Sequence, residues 1–527
     1  MKNYYLLRTA QNYLCPQQRA DDVDFLYTKL LCPFSIETEG LQKQPFCNHS
    51  KESTITFAIT YKTMMKNWLR FLAFILLILG STSCFVTSIT AQTARTGFFM
   101  ETSKFRHQIN PALLEDNPYL VFPFLGNIYA STISSHNTDA FVYKVTDPTT
   151  GKKEYDTFMN TEVTPKQFYS RLGTKDLSLD VDLNENIFSI AMNGFGGTNL
   201  VEINLRSSSR LELPNQLFHY AKESNDRNAY HLDHLALNHQ TYAEIALGHA
   251  HNVGNHFTVG AKVKGLIGVG YADIQADNLD VKQAGLGWSV SGRTRGTLAL
   301  LNTPPTFNEK GRFDGLEDLS PGITGWGLGA DLGVIYEVHG VEGLTVNASL
   351  TDLGFINHTK AYALNNDVYR TWSFEGFHNT KDENGKMLQD GVEQFKDDLQ
   401  ELLSLRDGGK TTKKSALKST LNLGAKYELP FAKHLNVGVL YSKHLEGNFS
   451  LDQLTFGAAW HPIAPIELGV STTLVKNSMN FGAMLTVQAP HFQVFVGTDY
   501  FSGAFSEDGL FSSRANNINL GVTIPLD

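Results

Sequence analysis

Charge is scarce in this 527-residue chain: Asp, Glu, Lys and Arg together make up 18%, against roughly a quarter in an ordinary soluble domain. The formal net charge is −9, so the basic excess that marks a nucleic-acid binder is missing and no nucleic-acid partner is expected. Cysteine stops early. Cys15, Cys32, Cys47 and Cys84 are the whole complement, and the body beyond them needs no oxidative pairing and offers no thiol to misbridge in an oxidising envelope. Long apolar runs are absent too. Past residue 92 nothing approaches the ~18 consecutive apolar residues of a spanning helix, and the mean hydropathy of −0.20 is too low for a polytopic helical membrane protein.

One apolar run does exist, inside the leader-like stretch "MMKNWLRFLAFILLILGSTSCFVTSITAQTA" that starts at Met64. Lys66 and Arg70 supply a positive start, Phe71 to Leu79 an apolar middle, and Ile89-Thr90-Ala91 a cleavage site, which is the pattern of a secretory signal peptide. Its position has two explanations. Either residues 1–63 are a mis-called extension and translation begins at Met64 or Met65, or Phe71 to Ala91 is a signal anchor. The extension has no repeat and no long amphipathic run, which favours the first: 1–63 extension, 64–92 signal peptide. A lipid anchor on Cys84 is a third option, although the Leu usually found three residues before such a Cys is absent.

What the body does have is alternation. In "GADLGVIYEV" (Gly329 to Val338), Ala330, Leu332, Val334, Tyr336 and Val338 oppose Asp331, Gly333 and Glu337. In "LTVNASLTDL", Leu344, Val346, Ala348 and Leu350 oppose Thr345, Asn347, Ser349 and Thr351. Period two means β-strand, because successive side chains leave opposite faces of the pleat. The same pattern recurs from Phe257 to Ile267 and, almost without interruption, from Leu421 to Ile524. Many runs are about 9–11 residues, the length of a tilted strand that crosses a bilayer. Several apolar faces end in an aromatic (Tyr336, Tyr427, Tyr441, Trp460, Tyr500), as interfacial girdles do. Tight connections ("HPIAP", "APH") contrast with long polar ones such as Phe501 to Ala515. Lipid cannot satisfy a free amide, so such a sheet must close on itself. The fold class is therefore all-β, a closed antiparallel transmembrane β-barrel; a soluble all-β protein with one solvated face explains the alternation but not leader and strand length together.

The polar face carries a recurrent glycine: Gly260, Gly333, Gly424, Gly438, Gly457, Gly469, Gly482, Gly497 and Gly521. Glycine weakens a strand unless a bend or a close neighbour needs the room, so these positions are expected to face the lumen. Either something packs against them or they relieve crowding in a narrow barrel. Residues 93–170 read as an N-terminal plug or periplasmic segment with the first strands, and 171–527 as barrel. Asn110-Pro111-Ala112 is a turn signal, and Tyr119 to Ile128, broken by Pro123 and Gly126, reads as a segment tucked into the lumen or lining a mouth. The insertion at 355–417 holds Val392, Phe395, Leu399, Leu402 and Leu403 at helical spacing, which places one loop helix over 391–406.

"FRHQINPALL", "YAEIALGHAHNVGNHFTVGAKVKGLIG", "GADLGVIYEV…LTVNASLTDLGFI" and "STLNLGAKYEL" resemble a family of Bacteroidota outer-membrane proteins of unassigned function, over most of Thr93 to Asp527. More distantly, the Asn-Pro-Ala turn and "SLTDLG" resemble the long-chain fatty-acid transporter barrels and related barrels of type IX secretion. That resemblance implies about fourteen strands, with N-terminal residues plugging the lumen. It also implies an outer-membrane location, contact with outer-membrane lipid and the barrel-assembly machinery, and a small hydrophobic ligand. One departure is the ending "GVTIPLD", where such barrels usually carry an aromatic assembly signal.

Catalytic chemistry has no clear carrier. Histidines recur at 231, 234, 239, 249, 251 and 256; without cysteine or paired carboxylates they read as loop and turn-flanking residues and not as a metal centre. "GLIGVG" (Gly265 to Gly270) lacks the Lys-Ser/Thr and helix of a phosphate loop. No serine is marked out by base partners, so no enzyme activity and no cofactor are expected. Two functions stay open: a passive transporter or channel for small hydrophobic molecules with Asn110, Pro111 and Ala112 in its hatch, or a non-transporting barrel that docks an assembly, secretion or surface partner.

Overall fold

A computed structural model describes residues 94–526, apart from 115–117, 122–124, 147–150, 223–227, 286, 367–369, 378–390, 433, 446–449 and 477. The extension and the signal peptide expected over 1–92 lie outside the described residues.

Fourteen strands form the wall: β1 (in two pieces, Tyr119–Val121 and Ile128–Ser134), β2 (Leu177–Gly194), β3 (Gly197–Leu213), β4 (Leu235–Val253), β5 (Phe257–Ala284), β6 (Gly325–Glu337) and β7 (Leu344–Asn365). The circuit continues with β8 (Ser419–Glu428), β9 (Leu435–Leu445), β10 (Leu451–Ile463), β11 (Ile466–Val475), β12 (Ser478–Ala489), β13 (Phe492–Phe505) and β14 (Phe511–Pro525). Each pairs antiparallel with the next, as in Val334↔Ala348 between β6 and β7, and β14 pairs with β1 to close the ring. Closure removes every free edge, which is what a sheet in hydrocarbon must do. Among the described residues no helix is long and apolar enough to cross a membrane.

The outward face answers the question posed by the alternating stripes. Leu328, Leu332, Leu423, Phe456, Val470, Phe481 and Val496 stand exposed on the outside of the ring, with no protein layer over them. The opposite residues, Asp331, Asn422, Thr455, Glu467 and Gln493 among them, are buried inside. An apolar exterior around a polar interior is the inverse of a soluble barrel.

The two ends of the barrel differ. Turns β2–β3, β4–β5, β6–β7, β8–β9, β10–β11 and β12–β13 are short and share one end. At the other end β5 runs on past Gly268 and pairs there with a further strand, Gly287–Leu300, instead of β6. Similarly, the upper half of β7 pairs with Arg406–Ala416 instead of β8. These extensions, the hairpin Val142–Thr146/Lys153–Thr157 and helices Pro165–Leu172, Asn215–Lys222 and Gly391–Leu403 share one apolar core. Phe158 stacks on Phe168 at 4.4 Å, and Tyr220 meets Trp288 edge-on at 4.8 Å. The first helix is fixed by a capping box between Thr164 and Gln167, with Pro165 at its first turn.

Several expectations need correction. Tyr119–Val121 is not a lumenal tuck; it pairs on both sides, with β2 and β14, and belongs to the wall. Phe501 to Ala515 is no long loop: β13 and β14 run through it, leaving only 506–510 between them. The insertion at 355–417 is strand at both ends, and its helix ends at Leu403. Tyr500 is no girdle residue. Between Gly497↔Asn519 and Phe501↔Asn516, β13 carries one residue more than β14; the bulge turns both Asp499 and Tyr500 inward.

Candidate functional site

Inside the ring, toward the end with the short turns, lies the segment Ala94–Leu114. It consists of one helical turn, Thr96–Phe99, followed by two short 3-10 turns, Lys104–Gln108 and Pro111–Leu113. Its apolar side chains, Phe98, Phe99, Met100 and Phe105, are almost wholly buried among residues of the wall. Phe105 sits 5.7 Å from Phe495 and 6.0 Å from Tyr119, ring to ring.

The glycines of the polar face form the seat of this segment. Gly260 lies against the backbone of Pro111 and Ala112, and Gly333 against the amide of Asn110. Gly424 meets Phe98, Gly438 and Gly457 meet the ring of Phe99, and Gly469 and Gly482 meet Met100 and Thr96. A methyl group at most of these positions overlaps the segment, so the missing side chains are the space it occupies. Gly497 and Gly521 differ: the first lies against β12, the second against Gly126 and Phe495. Asn110, Pro111 and Ala112 form the last turn of the segment. The Asn110 side chain accepts from Ala112 N at 2.9 Å and donates to the carbonyls of Val334 and Ala348 at 3.3 and 3.4 Å.

Two carboxylates of the wall hold the backbone of the segment. Asp499 accepts from Arg95 N (2.8 Å), Thr96 N (2.9 Å) and Thr96 Oγ1 (2.7 Å). Glu467 accepts from Glu101 N (2.8 Å), Thr102 N (2.9 Å) and the Thr102 hydroxyl (2.5 Å). Charged acceptors on backbone N–H groups make bonds roughly twice as strong as neutral ones, and they satisfy donors that a short isolated turn leaves open. Further along, Ser349 Oγ and Asn422 Nδ2 both donate to Ile109 O, at 2.6 and 3.0 Å.

A second group of side chains crosses the lumen beside the segment. Lys264 Nζ lies 2.7 Å from Asp331, 2.6 Å from Asp352 and 3.5 Å from Glu244, while Arg206 reaches Glu244 at 3.2 Å and Asp352 at 3.0 Å. Lys262 pairs with Glu202 at 2.7 Å and donates to His107 Nδ1 at 2.9 Å; the other ring nitrogen of His107 meets the Tyr119 hydroxyl at 2.8 Å. Buried charges persist only when paired in this way. Asp352 has the sequence parity of outward-facing Leu350. A bulge sets Thr351 and Asp352 opposite Asp331 alone, and Asp352 takes φ +58° there. A non-glycine residue rarely adopts that conformation; here it swings the carboxylate from the outer face to the lumen.

Between the segment and the wall, Arg95, Asn184, Arg206, Asp352 and Lys418 line a polar cavity of about 90 Å3. The expected histidines do not converge on one point. His249 and His251 are neighbours, with ring centroids 5.1 Å apart, while His231 bonds Asp280. His239 is buried inside the barrel, bonded to Ser209 at 2.8 Å, and is no loop residue.

Among solved structures the chain is similar to the Ralstonia pickettii toluene transporter TbuX (8% identity, TM-score 0.37, 79% of this chain and 91% of that one). It is also similar to the Pseudomonas putida toluene transporter TodX (10%, 0.36, 84% and 96%) and a Pseudomonas aeruginosa FadL homologue (10%, 0.37, 84% and 100%). Among curated proteins nothing matches. The model of the family of unknown function DUF5723 matches residues 111–499, well over half of the chain, from the turn at Pro111 to the carboxylate at Asp499. The chain belongs to that family.

Proposed function

We propose that this protein is an outer-membrane barrel of a Gram-negative envelope that passes small hydrophobic molecules, with Ala94–Leu114 as its hatch. In this reading the chain is exported by the leader over 64–92, inserted by the barrel-assembly machinery, and oriented with its short turns in the periplasm, as such barrels are. No enzymatic step is assigned to it.

The observation that carries the reading is an irregularity in β1. Between Val121↔Ser189 and Ile128↔Glu185 the register of β1 against β2 shifts by three residues. Within that shift, Gly126 lies over the lumenal side of Gly521. Leu125 O accepts from Val522 N at 2.8 Å and Asn127 O from Asn186 N at 2.9 Å. A register shift in the wall, next to a segment seated on glycine, is where an apolar solute can leave sideways into lipid. The ion-paired middle of the lumen makes straight-through passage of such a solute unfavourable, because apolar groups gain nothing from a polar chamber.

That same ion-paired middle and the folded cap favour a second reading, a shut barrel that docks another protein. Uptake of a hydrophobic fluorophore into vesicles separates the two. The hatch deletion must spare the wall, which begins at Tyr119, so residues 94–114 are removed. Faster uptake than through the intact barrel supports the transport reading; uptake equal to that of the intact barrel and of protein-free vesicles leaves docking.

A further inference from the structure

The structure assigns a small oxyanion to the cavity between hatch and wall, held by the Arg95 guanidinium. The inference goes beyond the transport reading and does not depend on it, since a shut barrel offers the same cavity.

Charge pairing carries the inference. Asp182 and Asp352 line the cavity, and both are already neutralised. Asp182 receives Lys418 at 3.0 and 3.1 Å, and Asp352 receives Lys264 and Arg206. Arg95 lines it as well, with only 6% of its surface exposed. Its guanidinium donates to the Tyr500 hydroxyl at 2.9 Å and to His444 Nε2 at 3.4 Å. Among the described residues no carboxylate forms an ion pair with it; Asp499 takes the Arg95 backbone N–H instead. Its Nε is buried without a partner. Asp499 is a nearby counter-charge but not an ion-pair partner of this guanidinium, whose planar fork of donors matches an oxyanion. The cavity of about 90 Å3 is well above the ~10–15 Å3 that one water requires and has room for a phosphate or a short carboxylate. Because Arg95 belongs to the hatch and the rest of the lining mainly to the wall, the bound anion ties one to the other.

Calorimetric titration of the purified protein in detergent, at constant ionic strength, tests this with inorganic phosphate, acetate and chloride in turn. Saturable binding of phosphate or acetate is expected, together with slower hydrogen exchange at residues 95–100. Phosphate alone points to an inorganic source, acetate to the carboxylate of an organic solute. Arg95→Gln should weaken binding about tenfold or more, as loss of a charge-assisted bond does. Arg95→Lys keeps the charge without the fork and should fall between, and Lys443→Gln, on the outer rim, should change nothing. Binding of chloride alone, no saturable binding, or equal binding by Arg95→Gln and the parent overturns the proposal. Should Arg95→Gln fail to fold, Arg95→Lys binding phosphate and acetate as tightly as the parent overturns it as well.

Discussion

Gly457 of the wall lies beneath the ring of Phe99 in the lumenal segment, the proposed hatch, so close that a methyl group at 457 would overlap its Cδ2 and Cε2. Hatch and wall are thus complementary at the level of single carbon atoms, and the relationship can be reversed by exchanging bulk between the two sides. Gly457→Val should destabilise the seated hatch by about 1–3 kcal/mol, the usual cost of overpacking. Phe99→Ala in the same chain should recover part of it. Hydrogen exchange at residues 96–106 reads both; equal protection in the single and double variants would contradict the packing described.

Asp499 anchors the first turn of the hatch through two backbone N–H groups and one hydroxyl. Asp499→Ala leaves those donors buried and unpaired, at about 1–3 kcal/mol for each group stranded. Limited proteolysis should then cut near residues 95–103 while the heat-modifiable barrel band persists. An unchanged cleavage pattern would argue that Asp499 does not hold the hatch.

Lys264 is the hub of three carboxylates. Removing one partner of a buried ion pair typically costs about 3–5 kcal/mol, because the remaining charges stay buried. Lys264→Met should lower the urea midpoint of the folded barrel accordingly. Lys443→Met, on a partly exposed pair with Asp452, should shift it by no more than about 1 kcal/mol. Similar shifts for both would mean that the lumenal network is solvated.

On the outer face the cost of a charge should depend on depth. Val470→Arg, in the middle of β11 and 57% exposed, should cost about 2–4 kcal/mol on folding into bilayers, and Phe505→Arg, at the far end of β13, about 0–1. Folding titrations in vesicles measure both. A flat dependence would remove lipid as the partner of the stripe.

Much of the wall was legible because period two is a local property: Leu421 to Tyr427 and Ile466 to Val470 need no tertiary information to declare their faces. The glycine seat was legible for the same reason, as small residues recurring on one parity. The residues that turn at bulges were hidden. Tyr500 reads as a girdle aromatic, and Asp352 shares the parity of the apolar stripe, until one extra residue in β13 and in β7 flips them inward. Strand pairing decides that, and no single strand contains it. The charges of the lumen were visible as polar-face residues, Lys262, Lys264, Asp331, Glu467 and Asp499, but their partners lie on other strands or on the lumenal segment, 404 residues away in sequence for Asp499 and Arg95. The first strand was missed because Pro123 and Gly126 break its pattern, and that break is also the register shift on which the transport reading rests.

The central claim is that the outward stripes meet acyl chains, and tryptophan reports on it directly. Trp326 and Trp460 are 58% and 51% exposed on the outer face, whereas Trp288 is buried in the cap. Variants retaining one of these at a time, reconstituted in vesicles of lipid brominated along the acyl chain, should show strong quenching of Trp326 and Trp460 and almost none of Trp288. Equal, weak quenching of all three would contradict the account.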